Sequence, residues 1–310
     1  MKRAFIILII IFNFFIANNL LAEKIEILYK VENYPITNKD IAKEINYLVM
    51  LNNNLRTIDE KELIQYATKS IIKEKVKKNE IQKKFNFGGN EKIIEKQLDM
   101  IRNNLNINKS EFKNLLYSLD ISEDYLEEKI EIELMWNKLI YTLYKDKIVV
   151  DKKAIQEKLK KDLENPSNFI DEYLLYEILF APSNLADLES SKKKIEESIE
   201  KIGFENTANI LSEAQSSKLG GKIGWIKENQ LTKEVFNNIK ELEVGNYTDP
   251  INVPGGQLLL FLKEKRKAKL NLSFEDELDK VLKAEQNRQL DQYSSIYYKK
   301  TEIDTKIYDN

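Results

Sequence analysis

The sequence predicts an α+β protein in which helical regions flank one small domain that contains a sheet. Apolar residues recur every three or four positions across residues 38–163 and again across residues 273–300, which is the period of amphipathic helices. Between these stretches, residues 172–180 (EYLLYEILF) and 256–266 (GQLLLFLKEKR) are typical of buried strands. Seven of the nine glycines lie within residues 203–256, so the tight turns are concentrated in the same middle segment.

We therefore expect three parts in the chain after its first 22 residues. A helical N-terminal region covers residues 23–166, and a compact domain with a small antiparallel sheet and helices covers residues 172–267. A C-terminal helix and strand over residues 268–310 pack back on the N-terminal region and complete it. The reason is that residues 25–31 (IEILYKV) read as a lone strand whose backbone groups need a partner.

The helices are predicted from apolar stripes, caps and breaks. Thr37 followed by Asp40 resembles a capping box that opens a helix ending at Leu51. Further helices are predicted over residues 60–85, before Gly88-Gly89, around Ile94–Ile101, around Phe112–Leu119, from Ser122 to Leu143, and from Asp151 to before Asn165. We interpret these stripes as core packing rather than as ligand-binding faces.

The remaining predicted helices and strands lie in the middle and last segments of the chain. After the strand at 172–180 come a charged helix near 184–201, a shorter helix at 204–214, and the sequence GGKIGWI. After the second long strand, a Lys/Glu-rich helix covers residues 273–300, and the final TEIDTKIYD alternates like a strand.

Composition excludes several kinds of chemistry. The 310 residues include 49 Lys+Arg and 51 Asp+Glu, a net charge of −2, so no long-range positive field is available to hold nucleic acid. The chain has no His and no Cys, which excludes serine–histidine triads, cysteine nucleophiles, zinc sites and disulfide frameworks. No carboxylate pair stands out, and we expect no metal and no cofactor.

Residues 1–22 have the layout of a secretory signal peptide. Lys2 and Arg3 precede an apolar run from Ala4 to Ala17, and Ala22 offers a small residue for cleavage. An uncleaved membrane anchor is the alternative, but the run is shorter than the roughly 20 apolar residues that span a bilayer. We expect export to the periplasm, with no stable membrane insertion after cleavage.

The middle segment resembles the parvulin-type peptidyl-prolyl isomerases, the PpiC or rotamase family, from about Glu172 to Lys267. The specific parts are Ser212-Glu213-Ala214 through Gly220-Gly221-Lys222-Ile223-Gly224-Trp225, and Gly245 with Asp249-Pro250 upstream of Gly256. A phosphate-binding loop is the competing interpretation of GGKIGW, but no helix begins there to hold an anion. Residues 31–37 (VENYPIT), followed by a helix, look like the start of SurA-like periplasmic chaperones.

The resemblance implies an apolar pocket above a floor of two histidines and a Cys or Asp. The matching pocket positions are Ile223, Leu231 and Phe236, which keep their apolar character. The matching floor positions are Glu177, Ala214 and Leu258, so the family's floor is lost. We expect Glu177, if it is buried there, to have a raised pKa or to turn out to solvent.

The resulting hypothesis is a periplasmic folding factor that binds unfolded or extended polypeptides, such as outer-membrane proteins, with a degenerate isomerase site. One alternative is an active prolyl isomerase that lowers its barrier by desolvation alone. Another is an envelope interaction protein with no role in client folding. Its partners would be polypeptides, not nucleic acid.

Overall fold

The computed structural model describes residues 24–163, 169–269 and 273–309, so the predicted signal peptide lies outside the described residues. The helices are α1 (Asn38–Leu51), α2 (Glu60–Gln82), α3 (Glu91–Leu105), α4 (Lys109–Ser118), α5 (Glu123–Tyr144), α6 (Lys152–Leu163), α7 (Leu185–Ile202), α8 (Phe204–Leu211), α9 (Lys233–Ile239) and α10 (Phe274–Asp304). The strands are β1 (Ile27–Val31), β2 (Tyr34–Thr37), β3 (Phe169–Phe180), β4 (Lys222–Lys227), β5 (Ile251–Val253), β6 (Gly256–Lys269) and β7 (Ile307–Asp309). Helices combined with two small antiparallel sheets confirm the predicted α+β class.

The first sheet joins the two ends of the described chain. Its order is β2-β1-β7, with β1 antiparallel to both neighbours, and Lys30 lies between Pro35 and Tyr308. The β1–β2 hairpin was not predicted from the sequence. Its turn places Glu32 at a φ of 49°.

We call residues 24–163 and 273–309 the helical body. Its core is formed mainly by α1, α2 and α5, and α10 closes one side of it. Trp136 of α5 is fully buried, and its indole N–H donates to Ser294 Oγ of α10 at 2.8 Å. The C-terminal helix therefore supplies part of the body's core.

Residues 169–269 form the sheet domain, whose sheet has the order β4-β3-β6-β5. β3 and β6 pair along their whole length, from Phe169↔Lys269 to Phe180↔Gln257. Because directly paired residues share a face, this register fixes which side chains meet on each side of the sheet.

Three predicted helix boundaries were wrong. The helix predicted over residues 204–214, α8, ends at Leu211, where the Ser212 N–H donates to the Ala208 carbonyl. α2 ends at Gln82 rather than Phe85, because its last turn tightens and the Lys83 N–H donates to the Glu80 carbonyl. α10 continues through residues 301–304, which had been predicted as strand. The hydroxyls of Thr301 and Thr305 bond to carbonyls four residues back, which suits a helix end.

Candidate functional site

The sheet domain has two different faces. On one face, Tyr176, Ile178 and Phe180 pack against Phe204 and Ala208 of α8. The other face carries an apolar cluster, which we call the pocket face: Tyr173, Leu175, Leu260, Leu262 and Ile239 are buried, and Leu231, Val235 and Leu258 are partly buried. Of the predicted pocket and floor residues, Leu231 and Leu258 belong to this cluster.

Glu177 lies at the edge of the pocket face. It is paired with Leu260 and lies two residues along β3 from Leu179, which is paired with Leu258. Its side chain is half-buried, and its Oε1 accepts a hydrogen bond from Ser216 Oγ at 2.8 Å. A carboxyl group is thus held against an apolar surface by a single neutral donor.

Burial raises the pKa of the Glu177 carboxyl to about 7, because removal from water disfavours the charged form. The hydrogen bond from Ser216 acts in the opposite direction, and the negative charge of Asp291 in α10 raises the pKa further. Glu177 therefore changes charge near neutral pH. A chain without histidine has few groups that do so.

The other two floor positions contribute no hydrogen-bonding side chain. Ala214 is buried, and its N–H donates to Ser212 Oγ at 3.2 Å. Leu258 adds apolar surface opposite Leu179. At the predicted floor, Ser216 is the side chain that bonds to Glu177, and it was not predicted from the sequence because only the folded turn brings it there.

The other two predicted pocket residues, Phe236 and Ile223, are not members of this apolar cluster. Phe236 is half-buried on the short helix α9, one residue after Val235. Ile223 occupies an irregularity where β4 shifts register against β3, and it is 40% exposed. Both positions leave apolar surface available to a ligand.

Gly221 allows the turn after Ser216 to approach β3 closely. Its carbonyl accepts the Glu177 N–H at 2.7 Å, and its φ is +78°. A Cβ at this position would lie 2.2 Å from the Glu177 carbonyl oxygen, a distance that real Cβ atoms do not adopt. The glycine pair of the family motif thus positions the backbone of the floor.

The same turn docks the sheet domain on the helical body. Lys218 Nζ lies 3.0 Å from Glu133 Oε1 of α5, and Gln215 donates to Ser294 of α10 at 2.8 Å. Next to this turn, Lys299 of α10 lies 2.6 Å from Glu213. These contacts were not predicted, because their partners are far apart in sequence.

Residues 24–163, 169–269 and 273–309 contain no group of three or more acidic side chains that could hold a metal ion. None of the helices in these ranges is both long and apolar enough to cross a bilayer.

Residues 178–264 match the protein family described as Rotamase, the PPIC-type PPIASE domain. The predicted resemblance is therefore confirmed: residues 178–264 match a PPIC-type rotamase domain, and the chain is similar to SurA chaperones over about half of its length.

Two curated proteins are similar to parts of this chain. The chain is 25% identical to Chaperone SurA of Pseudomonas putida over 163 residues, 50% of this chain and 38% of that protein. It is 32% identical to Periplasmic chaperone PpiD of Haemophilus influenzae over 100 residues, 32% of this chain and 13% of that protein. The chain thus spans about two fifths of the length of the SurA relatives that it matches.

Two solved structures are similar to this chain. One, described as a PpiC-type peptidyl-prolyl cis-trans isomerase domain, is 28% identical over 33% of this chain and 97% of its own, with a TM-score of 0.29. Another, from work on the SurA-like chaperones PEB4 and Cj1289 of Campylobacter jejuni, is 17% identical over 92% of this chain and 98% of its own, with a TM-score of 0.36.

Proposed function

We propose that this protein is a periplasmic folding factor that binds unfolded or extended polypeptides, outer-membrane proteins among them, and that its isomerase site is degenerate. Export rests on the signal-peptide layout of residues 1–22. The chaperone role draws support from the similarity to the SurA proteins and to the periplasmic chaperone PpiD. The proposed division is a helical region over residues 23–166, a rotamase domain over 172–267, and a returning segment over 268–310.

The observation that carries the proposal is the composition of the floor. Glu177, Ala214 and Leu258 stand where the family has two histidines and a Cys or Asp, while the apolar cluster of the pocket face is retained. Rotation about a prolyl bond meets a barrier of about 18–20 kcal/mol, and an enzyme must favour the twisted amide over both planar forms. The retained surface suits binding of an apolar segment, whereas the groups that would favour the twisted amide are reduced to Glu177 and Ser216.

A second candidate is an active isomerase, and the Glu177–Ser216 hydrogen bond favours it. A neutral carboxyl group can donate a hydrogen bond, and the pKa of about 7 keeps part of the Glu177 population neutral near pH 7. In that case the desolvated pocket and one polar pair would lower the barrier together.

The test compares two activities of the mature chain, residues 23–310. Isomerisation of a short Xaa-Pro peptide is measured beside aggregation of an unfolded outer-membrane protein, for the wild type and for Phe236→Ala. We expect clear protection from aggregation and little or no isomerisation. Isomerisation at a rate typical of parvulins, lost in Phe236→Ala, would establish the second candidate. No protection, together with a stable stoichiometric envelope partner in a pull-down, would favour an interaction protein.

A further inference from the structure

Glu177 is a half-buried acid that has no ion pair in the part of the chain that the structure describes. Three buried or half-buried acids of the same domain do have a cation close by: Glu172 lies 2.7 Å from Arg266, Glu205 lies 3.0 Å from Lys263, and Glu213 lies 2.6 Å from Lys299. Glu177 has the Ser216 hydroxyl instead. Its negative charge is therefore uncompensated on a half-buried surface.

The charged side chains described near Glu177 do not compensate its negative charge. Asp291, on α10, adds a second negative charge. Lys218, in the same turn as Ser216, pairs with Glu133 in the helical body. Lys222 of β4 is paired with Tyr176 and so belongs to the opposite face of the sheet. β6 presents apolar side chains to Glu177, because Leu260 is its direct partner.

The apolar surface beside the carboxylate has the character that a proline ring requires. Leu258, on the same face as Glu177, and Leu231, in the same cluster, are only partly buried, whereas Leu179 and Leu260 on that face are buried. A segment bound here would place an apolar ring on Leu258 and Leu231 and a neighbouring side chain against the carboxylate.

We propose that Glu177 makes the pocket of the sheet domain selective for polypeptide segments that carry a lysine or arginine beside a proline. The inference rests on the proposed function in one respect, that the pocket face binds polypeptide. A basic side chain supplies the cation that Glu177 lacks, and on a partly desolvated surface this pairing is stronger than in water. An acidic side chain at the same place is repelled by both Glu177 and Asp291, so the discrimination has an attractive and a repulsive part.

The experiment measures binding of three fluorescent peptides that differ at one position, with Lys-Pro, Ala-Pro or Glu-Pro at the centre. Fluorescence anisotropy with residues 23–310 at pH 8 gives three dissociation constants. We expect Lys-Pro to bind about tenfold or more tightly than Glu-Pro, with Ala-Pro between them. In Glu177→Gln the ratio should fall below about threefold, whereas Glu264→Gln, which removes an exposed charge on β6, should leave it unchanged.

The pH dependence of the wild type gives the same information without a substitution. At pH 5.5 the Glu177 carboxyl is largely neutral, since its pKa is about 7, and protonation of Asp291 acts in the same direction. The preference for Lys-Pro should therefore shrink at pH 5.5 towards that of Glu177→Gln, while the lysine of the peptide stays charged.

An unchanged ratio in Glu177→Gln, or a preference that persists at pH 5.5, would overturn the inference. So would failure of all three peptides to bind. If the chain still protects an unfolded outer-membrane protein in that case, the proposed function stands and the selectivity is wrong. Peptide selectivity without such protection would support the inference and contradict the chaperone role.

Discussion

Lys218 of the sheet domain and Lys77 of α2 approach opposite oxygens of the same carboxylate, that of Glu133, at 3.0 and 2.6 Å. The Lys77 side chain is 3% exposed and that of Lys218 25%, so the ion pairs lie at a largely closed boundary between the domain and the helical body. The two lysines hold the pKa of Glu133 well below its usual range.

Lys218→Met should loosen the docking of the sheet domain. Removal of one partner of a buried pair costs about 3–5 kcal/mol in general, but Lys77 remains to compensate Glu133, so we expect a loss of about 1–3 kcal/mol. Urea unfolding of residues 23–310 measures the loss. Lys193→Met, in an exposed pair with Glu197 at 3.8 Å, is the control and should change stability by less than about 0.5 kcal/mol. Equal effects of the two substitutions would contradict the role of Lys218.

Lys129→Met should be the most destabilising loss of a charge in the helical body. Lys129 bridges Glu44 and Glu74, whose side chains are 0% and 5% exposed, and its removal leaves two buried carboxylates close together. We expect a loss of about 3–5 kcal/mol in the free energy of unfolding.

The matched control for Lys129 is Lys113→Met on the exposed side of α4, which should be nearly neutral. Both variants are measured by chemical unfolding at pH 7. A loss below about 1 kcal/mol in Lys129→Met would mean that the carboxylates take up protons or water at little cost.

Glu177 should make the folded protein less stable at alkaline pH. Its pKa in the folded state is about 7, above the usual 4.5, so the folded state binds the proton more tightly than the unfolded chain does. The free energy of unfolding should therefore fall as pH rises from about 4.5 to about 7 and stay lower above that range.

The substitution Glu177→Gln removes this titration. We expect it to stabilise the protein by about 1–3 kcal/mol at pH 8 and to have little effect at pH 4. Unfolding curves of both proteins across this pH range measure the difference. A constant difference at every pH would show that the carboxyl group titrates normally.

Gly221→Ala should disrupt the sheet domain, because its Cβ would meet the Glu177 carbonyl oxygen at 2.2 Å. We expect a loss of more than about 3 kcal/mol or failure of the domain to fold. Gly224→Ala is the control, since it also has a positive φ, +108°, but has nothing within 4 Å of a new Cβ. That variant should lose about 1–2 kcal/mol from backbone strain alone. Far-ultraviolet circular dichroism and tryptophan fluorescence measure the loss, with Trp225 on β4 in the sheet domain and Trp136 in the helical body.

Local patterns in the sequence predicted much of the fold. The capping box of Thr37 and Asp40 is formed, and Ser122 caps α5 as its position indicated. The strand β3 is longer than predicted, since Phe169–Asp171 pair with Lys267–Lys269 at the charged end of β6, where the sequence has no apolar strand signal.

Long-range contacts between polar residues were not predictable. Nothing in the neighbourhood of Lys218 distinguishes it from other lysines, and its partner Glu133 lies 85 residues away. The partner of Glu177, Ser216, lies 39 residues away and is brought close by the turn before Gly221. The resemblance in the sequence predicts the floor positions, but the charge state of Glu177 depends on this packing.

The burial of Trp136 against α10 has a consequence for how the protein is made. Trp136 and Ser294 are 158 residues apart, and Tyr297 and Tyr298 pack on the same indole ring. Because the chain is made, and in the proposed export crosses the membrane, with its N-terminus first, α5 emerges before the helix that covers it. Until α10 packs, the Trp136 indole lacks its contacts with Ser294, Tyr297 and Tyr298. The growing chain is then the kind of unfinished polypeptide that the completed molecule is proposed to bind.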